Sequence, residues 1–235
     1  MRSRISARLL GLACLAAAAL LLASCQSARQ PDTLASQWQP KRIALLPFQL
    51  GVTDVGGGTV RSPLTGAAFQ PGPIKDGAAM FLDQALGRSL PEISTVEIVP
   101  AETAGRIFER LRHQDVALPL RRAAVQAGKE SGADGVLVGF VYRFSERVGE
   151  TFAADRPASA AFDLALIRVS DGAVVWKNTF DESQRALSED VIEASQYLSR
   201  GVRWFSVQEW GDYGLEQLLK RFPWQRDQNK DKKES

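Results

Sequence analysis

Gly132-Ala133-Asp134-Gly135-Val136-Leu137-Val138-Gly139-Phe140-Val141-Tyr142 decides the reading of the fold. From Val136 to Tyr142 the run is apolar without interruption and rich in valine and aromatics, which makes it a strong strand. Gly132 ends the helical pattern before it, so the stretch records a helix giving way to a strand through a short turn. The rest of the chain is read outward from this junction.

Upstream, Ile43-Ala44-Leu45-Leu46-Pro47-Phe48 is a second apolar run, of the kind found in strands buried on both faces, and Pro47 limits it because proline donates no ladder hydrogen bond. Between the two runs, Ile74, Ala78, Phe81, Leu82, Ala85 and Leu86 recur at helical spacing, with Lys75, Asp76, Asp83 and Arg88 on the opposite side. Val96 to Val99 reads as a short strand. Ala104, Ile107, Phe108 and Leu111 mark a second helix, Pro119 to Glu130 a third, and residues 111–115, with His113, connect them. The stretch from Gly51 to Pro73, containing Gly56-Gly57-Gly58, reads as a long, flexible, irregular loop.

Downstream, Phe162 to Ile167 is a strand, and Asp171-Gly172 turns it back into Val174-Val175-Trp176 as a hairpin. The order is β-α-β-α-α-β-β-β, an α/β (α+β) fold with a mixed sheet: helical crossovers make the early strands parallel and the hairpin makes the last pair antiparallel. Two C-terminal helices are expected to follow. Ser188 with Glu189 and Asp190 starts one that leaves at Gly201, while Ser206 and Glu209 form a capping box for the other. Phe205 and Trp210 stand at the two positions of a hydrophobic staple, and Pro223 ends that helix after Phe222. Residues 225–235 are almost wholly polar and are expected to be disordered.

The amino terminus carries a different kind of signal. Arg2, Arg4 and Arg8 precede an apolar stretch from Leu9 to Leu22, and Leu22-Ala23-Ser24-Cys25 closes it. That is the layout of a secretory signal, and its apolar core falls short of the about 20 residues a spanning helix needs. Residues 1–24 therefore read as a signal peptide, 25–40 as Cys25 with a polar tether, 41–224 as one domain, and 225–235 as the tail. Removing the three signal arginines from 29 basic residues leaves 26 against 27 acidic, a formal charge of −1. No basic stripe remains for a nucleic-acid partner. Cys14 departs with the signal, so no disulfide or cysteine cluster is expected, and the 45 % apolar composition supplies the core instead.

Leu22-Ala23-Ser24-Cys25 resembles the lipobox of bacterial lipoproteins, which implies acylation of Cys25. Gln26 in place of Asp favours the outer membrane, on its periplasmic side, by the same resemblance. Three further segments, Ile43 to Phe48, Gly132 to Gly139, and Leu164 to Val169 with Asp171-Gly172 and Val175-Trp176, look like the amino-terminal domain of TolB and its relatives. Those relatives include the curli secretion lipoprotein CsgG and the lipoprotein activators of penicillin-binding proteins. The resemblance covers about Arg42 to Phe180 and implies the fold; each segment is a buried strand or turn and fixes no site chemistry.

Reactive constellations are scarce. His113 is the one histidine, and G-x-S-x-G, H-E-x-x-H and G-x-x-x-x-G-K-[ST] do not occur, so no catalytic residue, metal, cofactor or nucleotide is assigned. The acidic pairs Asp181-Glu182 and Glu189-Asp190 fit a strand exit and a helix start. Trp204, Trp210 and Trp224 form a possible partner surface, set against the plainer role of packing an added helix pair on the sheet. The expected function is a non-catalytic lipoprotein, held on the membrane by acylated Cys25, that binds or assists another envelope protein. The alternatives are a subunit of an envelope secretion or assembly complex and an enzyme of unknown type.

Overall fold

A computed structural model describes residues 38–51, 58–149, 154–184 and 204–226. Strand β1 (Arg42–Leu45) is followed by the two-residue strands β2 (Gln49–Leu50), β3 (Val60–Arg61) and β4 (Ala68–Phe69), then by helix α1 (Ala78–Ile93). Strand β5 (Glu97–Val99) and helices α2 (Ala101–Gln114) and α3 (Leu120–Glu130) lead to the long strand β6 (Gly135–Ser145). A ribbon of β7 (Val148–Gly149) and β8 (Ala154–Arg156) precedes β9 (Ser159–Arg168), β10 (Val174–Ser183) and helix α4 (Val207–Leu219).

The fold is mixed α+β. Among the described residues its main sheet has six strands in the order β10-β9-β6-β1-β5, with β2 continuing beside β6 beyond the end of β1. β1 lies parallel to both β5 and β6, with Ile43 opposite Gly135 and Leu45 opposite Leu137. β9 runs antiparallel to β6 and to β10. This is the pairing that the crossovers and the hairpin imply. The hairpin uses five residues, 169–173, with Gly172 at φ 73° and an Arg168–Asp171 ion pair at 2.6 Å.

Side chains leave the two faces alternately, and each face has its own core. Leu45, Leu137, Leu164 and Phe162 pack with α1 and α4, whereas Ala44, Val136, Val138 and Ala165 pack with α2 and α3. β6 and β9 are buried on both sides over nearly their whole length, which is why their sequences do not alternate in polarity. At α4, the Ser206 hydroxyl accepts the Glu209 N–H and the Glu209 carboxylate accepts the Ser206 N–H at 2.9 Å, the expected capping box. Phe205 lies over Trp210 with ring centroids 6.3 Å apart.

Several expectations need correction. Within the 51–73 stretch, the described residues 58–73 are not merely irregular: β3 and β4 pair, and Leu64, Phe69, Ser62 and Thr65 are buried against the sheet. Gly66, at φ 73°, lies in the turn that folds the ribbon back between β3 and β4. Trp38, assigned to the tether, packs edge-on against Trp224 at 5.5 Å and belongs to the fold. At the other end the fold continues to Arg226, whose N–H donates to the Ile93 carbonyl, and Gln225 bridges Ser94. Helix α2 runs through Gln114, so His113 sits in its last turn and not in a connection. Helix α4 stops at Leu219, a turn before Pro223. The helix expected from Ser188 to Gly201 lies outside the described residues, as does the signal peptide.

Candidate functional site

The tryptophans do not form an exposed patch. Trp210 is wholly buried, its indole N–H donating to the Glu182 carbonyl at 3.2 Å, and it stacks on Tyr213 at 5.0 Å and meets Phe180 at 5.8 Å. Trp224 is buried between Trp38 and Phe222, and Trp204 is half-buried. The partner surface proposed for the three is therefore corrected: Trp210 and Trp224 are spent on joining α4 and the chain ends to the sheet, because large aromatics gain most from burial. Cys25, Glu189 and Asp190 lie outside the described residues. Asp181 accepts from the Arg143 guanidinium at 2.7 Å, a structural pair.

The sheet topology places a crevice elsewhere. Adjacent parallel strands β1 and β5 feed connections that cross to opposite faces, α1 on one and α2 on the other. In open α/β sheets such a switch point leaves a gap outside the carboxyl ends of the strands, where ligands bind. Here the gap holds about 480 Å³. Leu45 at the end of β1 and Ile98 and Pro100 at the end of β5 form its base, and Asp83, Gly87, Arg88 and Pro91 of α1 face Ala101 and Glu102 of α2 across it.

Asp83 is the chemically distinctive residue of the crevice. Its carboxylate accepts the Phe48 N–H at 2.7 Å, which ties α1 to the chain leaving β1. Burial pushes the carboxyl up to about 6, the Phe48 hydrogen bond draws it down, and the charge of Glu102 adds to the rise. The spacing of Asp83, Gly87 and Pro91, at i, i+4 and i+8 on α1, was legible in the sequence, but Asp83 reads there as part of the solvated face. Only the crossover of α2 onto β5 brings Glu102 to it. Among the described residues no group of three histidine, cysteine or carboxylate side chains is arranged to hold a metal ion.

The raised Asp83 value has a testable sign. In the fold the carboxyl holds its proton to about pH 6, but in the unfolded chain it releases it near 3.8, so its contribution worsens as pH rises between those values. Two pKa units correspond to about 3 kcal/mol, and partial exposure reduces this to about 1–2 kcal/mol. Asp83→Asn keeps an acceptor for Phe48 and cannot ionise. Urea midpoints are expected to show the variant gaining about 1–2 kcal/mol on wild type between pH 4 and 7; a gain by wild type over that range contradicts the assignment.

A second polar group lies under the β3–β4 ribbon. Asp163 of β9, fully buried, accepts from the Thr65 hydroxyl at 2.7 Å and from the Phe140 N–H at 3.1 Å. Burial pushes the Asp163 carboxyl above the ordinary carboxylate range, against the hydrogen bonds from Ser62, Thr65 and Phe140, which draw it down. The Lys177 ammonium donates to the Thr65 carbonyl from the neighbouring strand. The Tyr142 hydroxyl faces Ser62 without completing a hydrogen bond, and burial, then the Asp163 charge, pushes it well above the ordinary tyrosine range. This cluster pins the ribbon to the sheet, and its acceptors are turned toward protein donors.

No protein-family model matches the chain. No curated protein matches it either. Among solved structures it is similar to the PelC dodecamer from Paraburkholderia phytofirmans, at 15 % identity over 76 % of this chain and 84 % of that one, with a TM-score of 0.42. It is also similar to the lipoprotein GNA1162 from Neisseria meningitidis, at 14 % identity, 68 % and 97 % coverage and a TM-score of 0.37. The LpoB C-terminal domain from Escherichia coli is similar at 15 % identity, 66 % and 95 % coverage and a TM-score of 0.35.

Proposed function

We propose that the chain is an outer-membrane lipoprotein, anchored on the periplasmic side through acylated Cys25, whose folded domain binds or assists another envelope protein without catalysis. The observation that carries this reading is the basic, apolar, Leu-Ala-Ser-Cys sequence of residues 2–25, followed closely by a folded domain. Residues 26–37 separate Cys25 from Trp38, the first described residue of the fold. Twelve residues reach no further than about 40 Å when extended, so the domain works near the membrane surface. Among the described residues no helix is long and apolar enough to cross a membrane. On this reading attachment is through the lipid, and several acyl chains are needed because one binds only marginally at about 0.8 kcal/mol per buried CH₂.

Cys25→Ser is expected to abolish acyl labelling and to move the protein out of the membrane fraction or stall its processing, with the domain still folded. Unchanged retention, together with an unlabelled wild type, would falsify the anchor. Crosslinking in intact cells tests the second half of the reading. One envelope protein should be captured repeatedly, and recovery of nothing but free monomer under several crosslinkers would remove the partner-binding role.

A further inference from the structure

The crevice between α1 and α2 holds acceptors to which its side-chain donors, Gln84 and Arg88, make no hydrogen bond or ion pair among the described residues. Asp83 stands inside it with one backbone hydrogen bond, Glu102 stands opposite in the first turn of α2, and among the described residues neither forms an ion pair, although the exposed Arg88 also lines the crevice. A third acceptor comes from the backbone. Pro91 lies within α1 and has no N–H, so the Gly87 carbonyl one turn earlier lacks its helical donor on the face that lines the crevice. Below these oxygens the base is apolar, with Leu45, Ile98 and Pro100 at the strand ends.

We propose that this crevice binds an organic cation, an ammonium or guanidinium group on an apolar stem, with Asp83, Glu102 and the Gly87 carbonyl as acceptors for its N–H groups and the strand ends beneath the stem. The volume of about 480 Å³ lies within the range of small-ligand sites and is large enough for a lysine or arginine side chain. A carboxylate kept half-buried without a cationic partner is costly unless something else supplies the charge. An organic cation supplies it and adds charge-assisted hydrogen bonds. The position agrees with the chemistry, because the switch point of the sheet is where the backbone leaves room for a ligand. This inference goes beyond the anchored-lipoprotein reading and does not depend on the acyl chain.

The test uses the mature protein purified in detergent, with its isoleucine and alanine methyls labelled so that Ile98 and Ala101 report from inside the crevice. Capped lysine amide, capped arginine amide and free butylamine are titrated against it, with capped norleucine amide as the neutral isostere. The cationic probes are expected to shift both methyls and to bind at least about tenfold more tightly than norleucine amide, the weight of a charge-assisted hydrogen bond. Asp83→Asn with Glu102→Gln should remove that advantage. Gly87→Leu provides an independent check: a Cβ added at Gly87 meets nothing within 4 Å, so the position accepts a side chain, and the rest of the leucine should extend into the crevice that Gly87 lines, leave the fold intact and abolish the shifts. Tighter binding of the capped residues than of butylamine assigns the cation to a partner's side chain, and the reverse order assigns it to a free amine; both support the site. Equal binding of norleucine amide, unchanged binding by Gly87→Leu, or no methyl shift with any cationic probe overturns it. None of these results depends on the Cys25→Ser outcome, so the anchor and the crevice stand or fall separately.

Discussion

Trp210→Ala is expected to lower stability by about 3–5 kcal/mol, the range for removing a large buried aromatic from a core that collapses only in part. Trp210 is at the centre of the aromatic group beneath α4: Tyr213 and Phe205 flank it within the helix segment and Phe180 meets it from β10. Alanine therefore empties a site bounded on several sides. The indole N–H is lost as well, which leaves the Glu182 carbonyl without that donor at the end of β10. Against a total of about 5–15 kcal/mol, this change takes much of the margin by which the domain stays folded. The check is a shift of the urea midpoint with an unchanged slope. A wild-type midpoint combined with lost crosslinking to a partner would return Trp210 to the role of a binding residue.

Trp210 also shows which parts of the molecule were legible in the sequence. Staples and capping boxes are local, so Phe205, Ser206, Glu209 and Trp210 declare the start of α4 within six residues, and the structure forms both devices. The strands of the sheet were legible for a similar reason, since burial on both faces leaves continuous apolar runs in β6 and β9. What remained hidden is long-range. Trp38 and Trp224 meet across 186 positions of sequence, and no local pattern marks either as core. Thr65 hides in a Gly- and Pro-rich segment because its significance comes from Asp163, 98 residues away. The crevice is concealed in the same manner: Asp83 falls on the polar side of an amphipathic helix, and only the sheet topology turns part of that side inward. An apolar period reports which face of an element is mostly buried. It does not report which polar side chains another element will cover.

Gly139→Ala is expected to destabilise the protein by about 3 kcal/mol, at or above the upper end of ordinary overpacking. Gly139 sits in the middle of β6 opposite Leu164 of β9. A methyl group there would come within 2.4 Å of the Phe48 ring and 2.5 Å of the Asp163 carbonyl oxygen. The Phe48 ring can rotate away, although it already packs edge-on against Phe162 at 6.3 Å. The Asp163 carbonyl cannot move independently, because it belongs to a central strand paired with both β6 and β10. Making room would pull β9 from β6 just where Asp163 receives the Phe140 N–H and the Thr65 hydroxyl. The damage should thus spread to the ribbon above. Adding Phe48→Leu is expected to recover only a minor part of the loss, since the backbone contact remains, and Gly87→Ala in the open face of α1 should be neutral or stabilising by up to about 1 kcal/mol. Urea midpoints of the three variants separate backbone crowding from a general cost of added volume. Full recovery by Phe48→Leu would show that the ring alone sets the limit at this position and that β6 and β9 tolerate the methyl group.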